Sequence, residues 1–545
     1  MGDSPFLEGP YVENELSEPF DVCIVGGGPT GIATALALNG RGLRILLVEG
    51  GSLRTTLAAQ EILRAEQSGA PYWRLDNSRY AAIGGSANRW GGICRPLDAI
   101  DLEKKSWVAL SGWPLTNDDL IDVTARSAEF LGIGGADFGS PSAEDPWAVP
   151  TTTDSEFEGL HYGASPYLEF GERFIAKLAA ASDVTVVTDL HVTELVTSPS
   201  EDLVTSVKLS TTTGRNFTVR AGVTVLAAGT VENARLLLMS RGSRAAGLGN
   251  EHDVVGRYFM EHFHAEMGHL VCTPASQNWT SYDVSNPARP QLRSAIMPSA
   301  ATQRENELLT ATIAVGPPDY QPSPPYNSKL SGVFIRGERA YLALEARGGL
   351  GGKVAHAGVQ GARLAWRRVS SAQLRRRLKK LNLAPEGDGF GIKSLYVRSE
   401  QVPLASNRVT LASTNDVLGR PMVHLNWEVD DYSARNAEVV MRRFAAYSQR
   451  NGLGRVVGPH SDWRSLIVGG PHQLGTTRMS ASPRQGVVDK HGQVHSIPNL
   501  FVAGASTFAT GGHANPTVSA VALSLRTAEE VFKRAMAMRP KADVG

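Results

Sequence analysis

Three glycines and one acid carry the clearest chemistry in this chain. Gly26, Gly28 and Gly31 stand in the spacing G-x-G-x-x-G, and Glu49 follows at the end of the next apolar run. Gly26 permits a tight turn, Gly28 lets backbone approach a pyrophosphate, and Gly31 lets a helix pack closely on a strand. Glu49 sits where a carboxylate accepts hydrogen bonds from both hydroxyls of an adenosine ribose. It would repel the extra phosphate of an NADP-type nucleotide. Together the four residues predict a dinucleotide site.

The elements that must position them are legible around them. Asp21 to Val25 reads as a strand buried on both faces, Ile32 to Leu38 as an Ala/Leu helix, and Arg44 to Val48 as a second strand. A second strand delivering backbone to a nucleotide is predicted at Gly222 to Thr230, GVTVLAAGT, followed by a helix from Val231 to Met239. Tyr80 to Pro96, YAAIGGSANRWGGICRP, has small residues around Trp90 and no usable periodicity. It reads either as an irregular turn-rich loop or as backbone laid against a flat cofactor. Near the C-terminus, Leu500 to Ala503 is a strand running into Gly504. An apolar helix from Val518 to about Phe532 follows, with Asn515 and Thr517 near its open N–H end.

Composition narrows the classes. With 545 residues, more than one domain is expected. The 54 basic and 54 acidic residues balance, which gives no general pull towards nucleic acid or an anionic membrane. Cys23, Cys94 and Cys272 form no C-x-x-C pair, so neither disulfides, structural zinc nor an iron–sulfur cluster is expected. His262 and His264 alternate and His269 follows, yet no carboxylate or thiolate is spaced to complete a site, and metal is not expected. No apolar run reaches spanning length, and the acidic N-terminal stretch lacks a secretory pattern. The expected address is the cytoplasm.

Between these landmarks the stretch to about Gln67 is helix-compatible, and Asn117 to Leu131 and Tyr167 to Ala180 read as helices. Val184 to Val187, Val192 to Val196, Val204 to Ser210 and Phe217 to Arg220 read as short strands. Leu292 to Met297, Leu309 to Val315, Leu395 to Gln401 and Arg408 to Leu411 read as sheet strands, and Asp431 to Asn451 as a helix. Ala355 to Leu381 holds a strongly basic run, centred on Ala362 to Lys380, with an apolar stripe at helical spacing. It reads as a surface helix or lid, with partner or membrane-interface docking as the alternative.

Taken in order, the fingerprint, GGSANRWGG, LAAGT with its following helix, and HQLGT, GVVD and NLFVAGASTFATGGHANPT resemble the glucose–methanol–choline (GMC) family of flavin oxidoreductases. The sequence is most similar to the sugar-oxidising branch, with pyranose oxidases and the large subunits of bacterial fructose and gluconate dehydrogenases; GNEHDVVGRYFMEH adds to that likeness. The resemblance implies FAD as cofactor, with pyrophosphate at Gly26 to Gly31 and ribose at Glu49. The loop bearing Gly85, Ser86, Asn88, Trp90, Gly91 and Gly92 would run along the flavin, and Val192, Ala228 and Gly229 would belong to the cofactor site near its adenosine half. Gly504 and Ala505 would flank the flavin, and Asn515, Pro516 and Thr517 would face its pyrimidine ring. His472 matches the catalytic histidine and Asn515 the second catalytic position, where members carry histidine or asparagine. Some relatives attach flavin through a histidine where this chain has Arg89, so a dissociable FAD is expected.

The implied reaction is oxidation of an alcohol to a carbonyl. His472 would abstract the hydroxyl proton, Asn515 would orient the substrate oxygen, and hydride would pass to flavin N5. A sugar, glycoside or aminocyclitol-like polyol is the expected substrate, with His513 and Arg89 lining its pocket. The acceptor that reoxidises the flavin stays open among oxygen, a quinone and a protein, as does a homo-oligomer. The alternatives are the catalytic subunit of a membrane-associated sugar dehydrogenase and a different flavoenzyme sharing only the nucleotide fold. The fold class implied is α/β: a discontinuous Rossmann-like FAD domain (1–110, 183–261 and 467–545) and a substrate domain (111–182 and 262–466) on a mainly antiparallel sheet with helices.

Overall fold

The computed structural model describes residues 6–8, 12–139, 144–145, 147–150, 152–200, 202–242, 244–283, 291–316, 391–459, 461 and 463–539. The basic run at Ala355 to Leu381 lies outside the described residues.

The N-terminal pattern folds as a βαβ unit. Strand β1 (Phe20–Val25) leads through the glycine turn into helix α1 (Pro29–Leu38), and β2 (Ile45–Val48) returns parallel to β1. All four residues of β2 are buried, as a strand covered on both faces requires. Strand β3 (Val184–Thr188) adds parallel to β2, and Leu7–Glu8 adds parallel to β3. On the other side of β1 lies β4 (Asn216–Leu226), an 11-residue strand. Two separate strands were expected here. They are one, because its first half pairs antiparallel with Val204–Ser210 while its second half pairs parallel with β1. Helix α2 (Gly229–Met239) follows β4.

A second sheet has six strands, every neighbouring pair antiparallel, in the order Gly454–Val457, β5 (Phe263–Cys272), Ile392–Ser399, Ala311–Gly316, Ser294–Pro298 and Phe157–His161. Within it His264 lies opposite Arg398, and Arg398 opposite Thr312. Directly opposed residues share a face, so these three side chains line one side of the sheet. Strand β6 (Leu500–Val502) then returns the chain to the first sheet beside β4, and α3 (Thr517–Met538) packs on α1. Chain that leaves for the second sheet and comes back makes the nucleotide fold discontinuous.

One expectation fails locally. The stretch to Gln67 is helical only over Leu57–Glu61, and Ala65–Gly69 is a strand paired parallel with Pro421–Trp427. Its sequence, AEQSG, carries no strand preference, so pairing with the partner strand decides its conformation. Among the described residues no helix is long and apolar enough to cross a membrane. All three cysteines are free and buried.

Candidate active site

The glycine turn does what its spacing predicts. Gly26 has φ +110°, and a Cβ there would lie 2.6 Å from the Ala227 carbonyl oxygen. A Cβ on Gly31 would lie 1.8 Å from the Gly26 carbonyl oxygen, so the helix seats on the turn only because that side chain is missing. Gly28 is different: a Cβ on it would meet no atom within 4 Å. It opens onto a cavity of about 480 Å³ that runs from Glu49 to His472 and Asn515. Helix α1 begins there with no side-chain cap, which leaves an open helix N-terminus turned to the cavity.

Glu49 is buried at the end of β2. Its two oxygens accept from the backbone N–H groups of Gly27 (2.7 Å) and Gly51 (2.8 Å). Burial raises its pKa to about 7 despite those bonds. At the far end of the cavity α3 also starts without a side-chain cap, next to Asn515, Pro516 and Thr517. A cavity lined by a buried carboxylate at Glu49, bare backbone at Gly28 and a second open helix N-terminus has a donor and acceptor set that fits the chemistry of FAD.

Most of the expected cofactor residues line this cavity: Gly26, Gly28, Glu49, Gly85, Ser86, Trp90, Gly91 and Val192, then Ala228, Gly229, Gly504, Ala505 and Asn515 to Thr517. Three lie behind its wall. Gly31 serves helix packing, as above. Asn88 donates to the Ile83 carbonyl (2.8 Å) and accepts from the Gly171 N–H (2.7 Å), which pins the loop. Gly92 has φ +70°, and a Cβ there would lie 2.6 Å from the Ser165 carbonyl oxygen. Arg89 lines the cavity with its guanidinium 5.0 Å over the Tyr80 ring.

His472 lies on a connecting segment that would have no fixed shape alone. Backbone bridges Met260–Leu474 and His264–Val468 clamp residues 468–474 antiparallel to 260–264. His262 is thereby carried against His472, with their Nδ1 atoms 3.1 Å apart. His262 Nε2 lies 3.0 Å from the Gly511 carbonyl, an acceptor only, so Nε2 must carry the proton. The neutral His262 then accepts at Nδ1, and His472 must donate from its own Nδ1. That leaves His472 Nε2 as a bare lone pair, and His472 is part of the cavity wall. Burial, and after it the charge of Arg398 and the two neighbouring histidines, puts the His472 pKa well below the ordinary value. His472 is a neutral imidazole with its tautomer fixed.

Beneath it, Glu261 is fully buried and accepts from the His262 and His472 backbone N–H groups. Tyr72 Oη lies 2.5 Å from Glu261 Oε2 and 2.8 Å from the Gly470 carbonyl. A protonated Glu261 satisfies both contacts by donating to Tyr72 Oη while the phenol donates to the Gly470 carbonyl. Burial drives its pKa well above the carboxylate range in the same sense.

The segment before α3 is tied at every residue from 510 to 513. Trp113 donates to Thr510 Oγ1 (2.7 Å), His262 to the Gly511 carbonyl, and the Gly512 N–H to Glu400 (3.1 Å). His513 donates from Nε2 to Asp98 (2.9 Å) and accepts at Nδ1 from Tyr162 (3.3 Å). His513 was expected to line the substrate pocket. It is instead fully buried, with both ring nitrogens engaged, and anchors the loop that presents Asn515. Asp98, Asp101 and His513 come close enough to hold an ion, but these oxygens already accept from Arg95, His513, Thr310 and the Asp98 N–H.

Asn515 Oδ1 accepts from Arg398 Nη1 at 2.5 Å. Sequence reasoning missed Arg398, Glu261 and the His262–His472 pair. Glu261 and His262 close the motif GNEHDVVGRYFMEH, which marked them. A single arginine in a strand gives no signal.

A model described as FAD dependent oxidoreductase matches residues 21–246, and one described as GMC oxidoreductase matches residues 403–524. The 2-methyl-1,2-propanediol dehydrogenase of Mycolicibacterium austroafricanum is 22% identical over 94% of this chain and 95% of its own. The 6'''-hydroxyparomomycin C oxidase of Streptomyces lividus is 23% identical over 95% of this chain and 92% of its own. The structure of formate oxidase superposes with a TM-score of 0.57 at 17% identity, covering 96% of this chain and 99% of that one, a likeness of fold.

Proposed function

We propose that this chain, which is an FAD-dependent oxidoreductase of the glucose–methanol–choline type, oxidises a CH–OH group of a polyhydroxylated substrate to a carbonyl. The observation that carries the reading is the fixed lone pair on His472 Nε2 in the wall of the same cavity as Asn515.

A substrate hydroxyl placed against Nε2 gives its proton to a group that is neutral across the ordinary pH range. The imidazolium so formed keeps its Nδ1–H bond to His262 and stays in place. Asn515 holds the oxygen through its amide and fixes which carbon is presented. Bound FAD supplies the electron sink for the hydride equivalent leaving that carbon. The neutral Glu261 supports the His472 backbone without placing a negative charge beside the oxygen losing its proton.

The substrate class we assign is a sugar, glycoside or aminocyclitol-like polyol. Two relatives support it by what they are called, one a diol dehydrogenase and the other an oxidase of a hydroxyparomomycin. Asn515, at the position where family members carry histidine or asparagine, supports a place beside pyranose oxidases and the fructose and gluconate dehydrogenase large subunits. Arg89 stands where some relatives bond flavin through histidine, so acid precipitation should leave all the flavin in solution.

Anaerobic mixing of the flavin-loaded protein with sugars, glycosides, aminocyclitols and simple diols tests the reading. Bleaching of the flavin by a polyol, with a carbonyl product, is the expected result. Reduction by amines alone, or by a nicotinamide nucleotide alone, would overturn it.

A further inference from the structure

Arg398 has no place in the reading above, yet it is bonded to a residue that does. It stands on the strand Ile392–Ser399, opposite His264 and Thr312, and its side chain reaches Asn515, which lines the cavity. Its Nη1 donates to Asn515 Oδ1 at 2.5 Å. Among the described residues no carboxylate lies within ion-pair distance of it, and its one side-chain partner is that amide. A guanidinium that is half buried without a counter-charge is unfavourable unless something negative comes to it.

We propose that Arg398 is the positioning residue of this site: acting through Asn515, it locks the amide with Nδ2 turned towards the substrate oxygen and supplies the counter-charge for that oxygen as its proton leaves. The proposal rests on the alcohol-oxidising reading and adds to it a named orientation and a named charge.

The orientation follows from donor chemistry. A guanidinium has five N–H donors and no acceptor, so the atom of Asn515 that meets it is the oxygen. The amide nitrogen is then directed away from Arg398, and Asn515 is on the cavity wall. Without Arg398 the amide could present either atom, and an oxygen facing the developing alkoxide would repel it. The charge argument follows from the surroundings. The titratable groups around Arg398 and His472 are Tyr162, Glu261, His262 and His264, with Tyr72 behind Glu261 and the paired His513 and Asp98 behind Tyr162. Burial keeps the Glu261 carboxyl and both phenols protonated and His262, His264 and His472 neutral, so Arg398 is the full charge in contact with Asn515. The same charge lowers the pKa of all three histidines, including His472.

The test compares wild type with Arg398→Met and Arg398→Lys in the flavin-loaded protein, each checked for flavin content and melting temperature. The expected result is a loss of about 10²-fold in the anaerobic flavin-reduction rate of Arg398→Met at saturating substrate. Substrate half-saturation should change far less. Arg398→Lys should recover part of the rate, and guanidinium ion added to Arg398→Met should restore some of it. The acid limb of the pH profile should move upward, towards the ordinary histidine value. Sodium nitrate supplies an independent arm: the wild type should show a saturable change in flavin absorbance that Arg398→Met lacks. An unchanged rate and acid limb in Arg398→Met would overturn the proposal, as would equal nitrate binding by both proteins. If no alcohol reduces the wild type, the alcohol-oxidising reading fails, and the nitrate comparison still decides whether Arg398 provides the positive charge.

Discussion

Replacing His262 with leucine tests the histidine pair most sharply. The structure gives His472 one acceptor for its Nδ1 proton, the Nδ1 of His262 at 3.1 Å, and orients that acceptor through the Gly511 carbonyl at 3.0 Å. Leucine fills much of the space and removes the acceptor. A buried donor left without a partner costs about 1–3 kcal/mol, which His472 escapes by moving its proton to Nε2, the atom needed as base. The reactive tautomer therefore falls to a minority, and flavin reduction slows by about 5- to 150-fold. His262→Gln is the companion variant, since its amide can accept from His472 with one atom and donate to Gly511 with the other. Stopped-flow reduction under anaerobic conditions, at matched flavin occupancy, reads both. The reasoning predicts a large loss in the leucine variant and recovery of most of it in the glutamine variant. Equal rates in the two variants, or a leucine variant as fast as wild type, would refute the tautomer argument.

Gly28→Val and Gly31→Ala should fail in opposite ways. The Cβ of the first meets no protein atom within 4 Å, and the substitution should leave the apoprotein's melting temperature unchanged while abolishing flavin binding. The second drives a Cβ to 1.8 Å from the Gly26 carbonyl and should lower the melting temperature itself; identical behaviour would contradict the cradle. Glu232→Gln tests the buried charges beside the nucleotide end. Burial alone would raise the Glu232 pKa, but Arg235 and Arg79 override it and hold it near 2 against an ordinary 4.5. A carboxyl depressed on folding stabilises above its unfolded value, and that stabilisation disappears as pH falls through the folded one. The variant should therefore lose about 3 kcal/mol at neutral pH, with the deficit shrinking between pH 4.5 and 2 in denaturant titrations. A deficit independent of pH would contradict this.

How much of this could be read from the chain follows how local each feature is. The turn at Gly26 to Gly31 and the acid at Glu49 were legible because strand, turn, helix and strand follow one another without interruption. The strand at Ala65–Gly69 was not, because its conformation is set by a partner strand at Pro421–Trp427. The same holds in the site. His472 and Asn515 carried local motifs, whereas the pairing of His262 with His472 joins positions 210 residues apart and depends on two backbone bridges. His513 was given the wrong surroundings for a related reason. Its position near Asn515 suggested the pocket, but Asp98 and Tyr162, both distant in sequence, draw it into the core. Arg398 carried no pattern at all, and only the register of the second sheet places it against Asn515.

The central claim is that His472 takes the proton of an alcohol. Its most direct test is His472→Ala, loaded with FAD and mixed anaerobically with a polyol that bleaches the wild type. The account predicts retained flavin, an unchanged melting temperature and a reduction rate lower by about 10²- to 10⁴-fold, the range for losing a general base. Reduction at the wild-type rate in a variant that still holds its flavin would contradict it.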